Sequence, residues 1–349
     1  MLNTWIRRAM ALAVTTGLTA ASAAAQTPEE FYTGKTVELT VGATPGGSAD
    51  TIARTFVEHL AKHFPGNPEI VVFNKPGAGG MVAAKEMMAG AERDGTAMAM
   101  LLGGSVFVPR VEGIEDQFDP REVNWVGSID VGAYPYVILA NDQSPVKTAN
   151  EIFEKEMAIA ATSFTHQNRT IPEIMNRYLG AKFNIIPGYK GSPEIYLAME
   201  RREVDGWMLS YASLLDPGAK AKEWVADGTA FPLITIGFEH HPAFPDVPLI
   251  SEFITNDEQT KLLEFFFTPL IAGRPIVFPP EVPADRVAAI RKAFDETAAD
   301  EAFIADMRKR MGVEEVATVD GAGLQELVAE VYAAPDSVLE AARDILTDK

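Results

Sequence analysis

The chain has 349 residues, no cysteine, and 49 acidic against 30 basic side chains, for a formal net charge of −19. That length supports two domains with real cores. The acidity excludes nucleic acid as a partner, because phosphate binding needs a basic surface, and the lack of cysteine excludes disulfide and thiolate chemistry. The chain opens with Arg7 and Arg8, an apolar run over residues 9–18, and small residues ending in Ala23, Ala24 and Ala25 before Gln26. This is the pattern of a signal peptide over residues 1–25, too short to span a bilayer as a stable helix. Cleavage near Ala25 is expected to release the mature chain into the periplasm, and losing Arg7 and Arg8 takes its charge from −19 to −21. Long-range repulsion then opposes an anionic ligand, so a site for one must work through local donors.

Val37, Leu39 and Val41 alternate with polar residues, as a strand does. Pro45, Gly46 and Gly47 break it, and Ser48 and Asp50 carry oxygens suited to opening a helix. Ile52, Phe56, Leu60 and Phe64 give that helix one apolar face. A strand, a glycine turn and a helix start aim free N–H groups and a positive dipole end at one point, which suits a small anion. An ordinary strand–helix turn reads the same way in isolation. The theme repeats, however. Residues 70–73 form an apolar run before Gly77, Ala78, Gly79 and Gly80, and residues 98–102 run into Gly103, Gly104 and Ser105. In an open α/β sheet such loops gather at the carboxyl ends of the strands, where ligands bind.

Residues 116–125 read as a polar connector, and residues 137–140 as a strand leading into a second domain. Thr148 caps a short helix over Ile152 and Phe153. Residues 157–161 read as a strand ending in a dense polar loop, Thr162 to Thr170, with Pro172 in the first turn of the next helix and Gly180 closing it. A strand over 183–186 leads to Gly188, Tyr189, Lys190 and Gly191. Ser192 and Pro193 then start a helix to about Arg202. Asp205 and Gly206 turn into Trp207, Met208 and Leu209, and residues 231–236 form a returning strand. The apolar run 262–267 reads as a helix end. From Pro279 onward the periodicity is helical, through Val287, Ile290 and Phe294, then 303–311 stopped by Gly312, then 324–332 and 338–346, with no further strand expected. Two α/β lobes with two chain crossings make a clamshell.

Other chemistry finds little support. Gly77-Ala78-Gly79-Gly80-Met81-Val82 mimics a dinucleotide fingerprint but has valine where glycine or alanine belongs. There is no P-loop. His59 and His63 share a helix face without the glutamate of a zinc protease. Ser105 and Ser163 lack a nucleophile elbow. No enzyme, metal or cofactor is expected.

The ordered motifs Tyr32-x-Gly34-Lys35-Thr36, Pro45-Gly46-Gly47-x-x-Asp50-x-x-Ala53-Arg54, Asn74-x-Pro76-Gly77-Ala78-Gly79-Gly80 and Asp94-Gly95-Thr96 resemble one group. It is that of the periplasmic solute receptors of tripartite tricarboxylate transporters, the Bug family. Gly188-Tyr189-Lys190-Gly191, Glu203-Val204-Asp205-Gly206 and Pro245-Asp246-Val247-Pro248 continue the likeness over nearly the whole mature chain. The resemblance implies a type II periplasmic-binding-protein fold, a two-lobed Venus flytrap, with residues 26–130 and 240–349 in lobe 1 and 131–239 in lobe 2. It implies a monomer that binds a small organic acid, a di- or tricarboxylate or related carboxylate, and delivers it to the membrane subunits of a tripartite tricarboxylate transporter. A ligand sensor for a signalling partner would use the same site.

The proximal carboxylate maps onto Thr44, Pro45, Gly46, Gly47 and Ser48 with Gly77, Ala78, Gly79 and Gly80, and Ser105 ends the third loop. The far end of the ligand maps onto Ser163, His166, Gln167, Asn168, Arg169 and Tyr189. Many family members carry a glycine-rich loop here, so this polar replacement puts the ligand's identity in doubt. Arg169 suits a bidentate grip on a second carboxylate, or equally a helix-flanking role. Asp50 beside an anion site would repel the ligand, so a helix cap or a loop tie suits it better. Asp205 suits a ligand amine or hydroxyl, or a turn-forming Asp-Gly pair. Trp207 and Tyr211 suit stacking on an aromatic acid, or burial in the core.

Overall fold

The computed structural model describes residues 26–130, 136–162, 166–215, 219–237, 239–311 and 316–347. The expected signal peptide over residues 1–25, Ser163, Gly312 and residues 131–135 lie outside the described residues. The chain begins with α1 (Pro28–Tyr32), β1 (Thr36–Val41), α2 (Ser48–His63), β2 (Glu69–Asn74), α3 (Met81–Gly90), β3 (Ala97–Met100), α4 (Val108–Glu112) and β4 (Asn124–Asp130). It crosses to β5 (Tyr136–Asn141), β6 (Met157–Ala160), α5 (Gln167–Ile174), β7 (Phe183–Ile186), α6 (Ser192–Glu200), β8 (Gly206–Ser210), α7 (Tyr211–Leu215), α8 (Lys220–Asp227) and β9 (Ala230–Ile236). It returns through α9 (Asp257–Ala272), β10 (Arg274–Phe278), α10 (Ala284–Ala298), α11 (Glu301–Met311), β11 (Ala317–Asp320), α12 (Gly321–Tyr332) and α13 (Asp336–Thr347).

Two mixed sheets make two lobes. The first has strand order β11-β4-β10-β3-β1-β2, the second β7-β6-β8-β5-β9. In the first, β3, β1 and β2 run parallel, while β10 runs antiparallel between β3 and β4. Val37, Leu39 and Val41 pack with Ile52, Phe56 and Leu60 of α2 and with Phe294 and Phe303 of α10 and α11. β3 is covered on both faces: Met98 and Met100 join that core, and Ala99 and Leu101 the opposite one. The opposite core runs on through α9, α12 and α13 into the second lobe, where it takes in Ile138, Ile159, Ile171 and Ile174. Val137, Leu139, Trp207 and Leu209 on the other face of the second sheet pack under Ile195 and Met199 of α6.

Three strands differ from the sequence expectation. β4 falls partly in the expected connector, because Gly127 and Ser128 interrupt its apolar pattern. A side chain at Gly127 would strike the Phe294 ring, and Ser128 is buried with its hydroxyl donating to the Ala272 carbonyl. β10 carries Pro275, a residue that argues against a central strand; the pairing register with β4 shifts one residue later, between Ile276 and Val277. β11 is a four-residue edge strand with half its residues exposed. Two helix details also differ. Pro172 lies inside α5, where the missing N–H removes a helical bond; a π turn over Met175–Leu179 follows, ended by Gly180 at φ 80°. α2 starts from Gly47 with no side-chain cap.

Candidate functional site: the interlobe cleft

Because β1, β2 and β3 are parallel neighbours, the loops after them emerge at one sheet edge. The antiparallel β10 brings its first residues to the same edge, where the Leu101 N–H donates to the Pro275 carbonyl at 2.8 Å. Above this edge lies a cavity of about 430 Å³, lined on the first lobe by Ala43, Thr44, Gly47, Ser48, Ala78, Gly79, Leu102, Gly103 and Gly104. Tyr136, His166, Gln167 and Ser210 of the second lobe face it. The volume holds roughly fourteen water-sized groups, enough for a small acid with bridging waters.

The first two loops touch backbone to backbone: a Cβ on Gly42 would lie 3.0 Å from the Gly80 Cα. Residues 77–80 all have positive φ, including Ala78 at 45° and Gly79 at 62°. That run turns the chain sharply enough to present its backbone to the cavity, and glycine makes it accessible without strain.

Asp50 stands behind this arrangement and does not line the cavity. It is buried, its Oδ2 accepts from the Gly46 N–H at 2.8 Å, and its Oδ1 accepts from Arg54 Nε at 3.0 Å and Asn74 Nδ2 at 2.9 Å. Asn74 also donates to the Ala43 carbonyl at 3.1 Å and accepts from Arg54 Nη2 at 3.0 Å. One carboxylate thus ties the first loop to the root of the second. Burial alone would raise its pKa, but the donors from Arg54, Gly46 and Asn74 outweigh it and hold the carboxyl below the usual range.

On the second lobe, His166 is the N-cap of α5, its Nδ1 accepting from the Asn168 N–H at 3.2 Å. That bond assigns the proton of the neutral ring to Nε2. The side chain is exposed to the cleft. Burial first, and then the positive charge of Arg274, push its pKa below the ordinary imidazole value. Asn168 is buried and holds the polar loop, its Oδ1 accepting from the Thr162 N–H and hydroxyl at 3.2 and 3.1 Å. Tyr136 and Ser210 stand side by side because β5 and β8 pair at those residues.

The other sequence candidates sit elsewhere. The guanidinium of Arg169 is buried and donates to the Ile345 carbonyl near the end of α13. Asp205 fixes two strands, its Oδ2 accepting from the Ala158 N–H at 2.8 Å. Pro45, Gly46, Gly77, Gly80, Ser105 and Tyr189 do not line the cavity; Ser105 is fully buried. Trp207 packs edge-on against Tyr196, and Tyr211 stacks on His241 at 4.2 Å, both in the core.

Sequence reasoning passed over Lys85, Glu112, Tyr136, Ser210, Gly273 and Arg274, all of which line the cavity. Ser210 and Tyr136 carry a signal, since each ends or begins a strand. Arg274 carries none, because its position depends on where β10 pairs. Among the described residues no group of three or more histidine and acidic side chains is placed to hold a metal. No described helix is long and apolar enough to cross a membrane.

Comparison with known proteins agrees with this geometry. A Cupriavidus necator protein described as the UPF0065 protein in the gbd 5′ region is 30% identical over 264 residues, 73% of this chain and 76% of its own. BugT of Bordetella pertussis is 25% identical over 246 residues, 66% of this chain and 70% of its own. A TctC solute-binding protein from Polaromonas superposes with a TM-score of 0.64 at 17% identity, covering 88% of this chain and 98% of that one. MatC of Rhodopseudomonas palustris with bound malate gives 0.60 at 19% identity, covering 89% and 99%. Another R. palustris protein, with adipate, gives 0.62 at 18%, covering 88% and 97%. The fold is that of the periplasmic binding proteins. With residues 52–341 matching the family described as tripartite tricarboxylate transporter family receptor, TctC, the chain belongs to that family of non-enzymatic solute-binding receptors.

Proposed function

We propose that this receptor works in the periplasm, where it binds a small carboxylate between its lobes and presents it to the membrane subunits of a tripartite tricarboxylate transporter. The observation that carries the reading is the cavity floor. Three glycine loops at the ends of adjacent parallel strands expose backbone, the first tied by Asp50 to the root of the second, inside a chain of net charge −19. Backbone N–H groups bind a carboxylate without bringing a side-chain counter-ion, and their dipoles are fixed before the ligand arrives. The likeness to folds that hold malate and adipate in other proteins supports the same ligand class here.

Binding favours lobe closure only through contacts that improve in the closed form. His166 and Gln167 on the second lobe face the glycine loops across the cavity and are the groups positioned to supply them. A thermal-shift screen of the mature chain against mono-, di- and tricarboxylates, aromatic acids and amino acids tests the reading. A ligand that binds only the folded state raises the melting temperature by mass action, so a micromolar ligand registers at millimolar concentration. An acid among the hits is the expected result, and no shift with any acid would sink the carboxylate assignment.

A further inference from the structure

The two sheets end in the edge strands β11, β2, β7 and β9, and only β2 is left open to further pairing. β11 is four residues long and runs directly into α12. On β7 the Asn176 side chain accepts from the Phe183 N–H and donates to the Phe183 carbonyl, each at 2.8 Å. β9 carries Pro232, and its Thr235 N–H donates to the Pro248 carbonyl of a covering segment at 2.8 Å. Short length, proline and side-chain or loop cover are the means by which natural sheets avoid edge-to-edge association. β2 has none of them. It runs Glu69-Ile70-Val71-Val72-Phe73-Asn74 in unbroken register with β1, without proline or lysine, and its Phe73 is 49% exposed.

The Glu69 and Lys75 N–H groups donate to the Lys35 and Val41 carbonyls at 3.1 and 2.8 Å, so the odd-numbered residues bond to β1. Ile70, Val72 and Asn74 therefore direct their N–H and C=O groups away from the sheet. Among the described residues these outward backbone groups have no hydrogen-bond partner. The edge is complementary to itself. An antiparallel copy centred on Val72 sets Val72 against Val72 and Ile70 against Asn74, and each such pair exchanges two hydrogen bonds. The alternate pairs set Val71 against Phe73, an aliphatic–aromatic contact. They lie on the face where Glu38 and Thr40 of β1 line an open groove. The same register sets Glu69 against Lys75. Lys75 bridges to Glu86 of its own chain at 2.7 Å, but it is half exposed and its ammonium has donors for a second carboxylate. We infer that β2 is the docking edge for a second copy of this chain, pairing antiparallel about a two-fold axis through Val72 so that two first sheets become one. The inference is independent of the carboxylate reading. The strand ends that lead to the cleft point in opposite directions in the two copies, so neither solute site is covered. A strand edge is small beside a standard interface, and two copies of net charge −19 or below repel each other, so the association is weak and reversible.

Sedimentation equilibrium of the mature chain tests it, in about 0.3 M salt to screen that repulsion. Between about 10 µM and about 1 mM protein the average mass should rise from that of a monomer towards twice that value, with a dissociation constant on the order of 0.1 mM. Phe73→Lys alters an exposed side chain on which folding does not depend, installs the lysine that blunts other natural edges, and should weaken the dimer about tenfold or more. Val72→Pro removes an N–H that its own sheet does not use and should abolish the dimer. Glu69→Lys and Lys75→Glu should each weaken it several-fold by setting like charges opposite one another, and the double exchange should recover most of the loss. A wild-type chain that stays monomeric across the whole range would overturn the inference, leaving the edge to a strand from another protein. So would a dimer that persists in Phe73→Lys. A double exchange no better than the single variants would overturn the register centred on Val72.

Discussion

The two walls of the cleft recognise in different ways. The first lobe offers mostly backbone in its loops, through Gly47, Gly79, Gly103 and Gly104, beside the side chains of Thr44, Ser48, Lys85 and Arg274. The second offers side chains, His166, Gln167, Tyr136 and Ser210. Yet both are fixed by the same device, a buried polar side chain behind the loop: Asp50 for the first, Asn168 for the second. The lesson is that a generic acid grip and a ligand-specific grip can be built separately. Backbone donors cannot tell one acid from another at the carboxylate, whereas side chains on the opposite wall read what lies beyond it.

The largest effect should come from blocking the backbone wall. Gly79→Leu places a branched side chain in the cavity at a φ of 62°, and a Cβ there meets no atom within 4 Å, so the protein can accommodate it while the ligand cannot. The backbone strain of about 1–2 kcal/mol is tolerable for a chain of this size. Binding should fall below detection by calorimetry while the far-ultraviolet circular dichroism is kept. Normal affinity in this variant would remove the glycine loops from the site.

Asp50→Ala tests the device behind that wall. It leaves the Gly46 N–H, Arg54 and Asn74 Nδ2 without their shared acceptor, for a loss of about 2–3 kcal/mol and a drop of several degrees in melting temperature. Affinity should fall with it, because the two loops lose their common tie. The effect carries a pH signature. The carboxyl is held below its usual value in the folded chain, so its contribution is present above the ordinary aspartate pKa of about 3.9 and is lost as pH falls through the folded value. The melting difference between wild type and variant should therefore be full at pH 5 and shrink below pH 4. A constant difference across that range would count against the carboxylate tie.

Arg169→Met separates fold from recognition on the opposite wall. Its guanidinium grips the Ile345 carbonyl of α13, a helix that packs against α4 and α9 of the first lobe and α5 of the second. The variant should lose about 2 kcal/mol of stability, as for other hydrogen bonds to charged groups, and keep solute affinity within about threefold. A large loss of affinity with an unchanged melting temperature would instead make Arg169 a ligand clamp.

The parts of the molecule legible in the sequence are those set by local order. Alternation at Val37, Leu39 and Val41 followed by Pro45, Gly46 and Gly47 announces a strand, a turn and a helix within a dozen residues, and the theme repeats twice. The parallel pairing of those strands then follows from the connecting helices. What stayed hidden depends on distant packing. Gly127 reads as a strand breaker until Phe294, far along the chain, is found lying on it. Arg274 and Pro275 carry no local strand signal, and only the insertion of β10 between β3 and β4 places them. Arg169 looks like a ligand clamp because the sequence shows the polar loop around it and not the end of α13 that it reaches. The cleft's glycine backbone was therefore readable and its side chains only in part, since a glycine loop declares itself locally and a cleft-lining arginine does not.

The smallest effect, and the finest discrimination between the walls, concerns protons. A backbone N–H does not titrate, so acid binding to the first wall alone should vary with pH only as the ligand does. His166 is different: burial and then Arg274 hold its imidazole below the usual value, and it is neutral at pH 7. The unfolded chain takes up a proton near pH 6.5 before the folded one does, so wild type should lose stability relative to His166→Gln as pH falls below that point. Affinity should move the other way. Protonation adds a positive charge to the cleft, and an arriving carboxylate favours that protonated form. Between pH 7.5 and 5.5 the wild-type affinity for a carboxylate that stays ionised over that range should rise a few-fold, with protons taken up on binding, while His166→Gln shows a flat profile. A wild-type profile as flat as the variant's would mean that the second wall, like the first, reads the solute through groups that carry no charge.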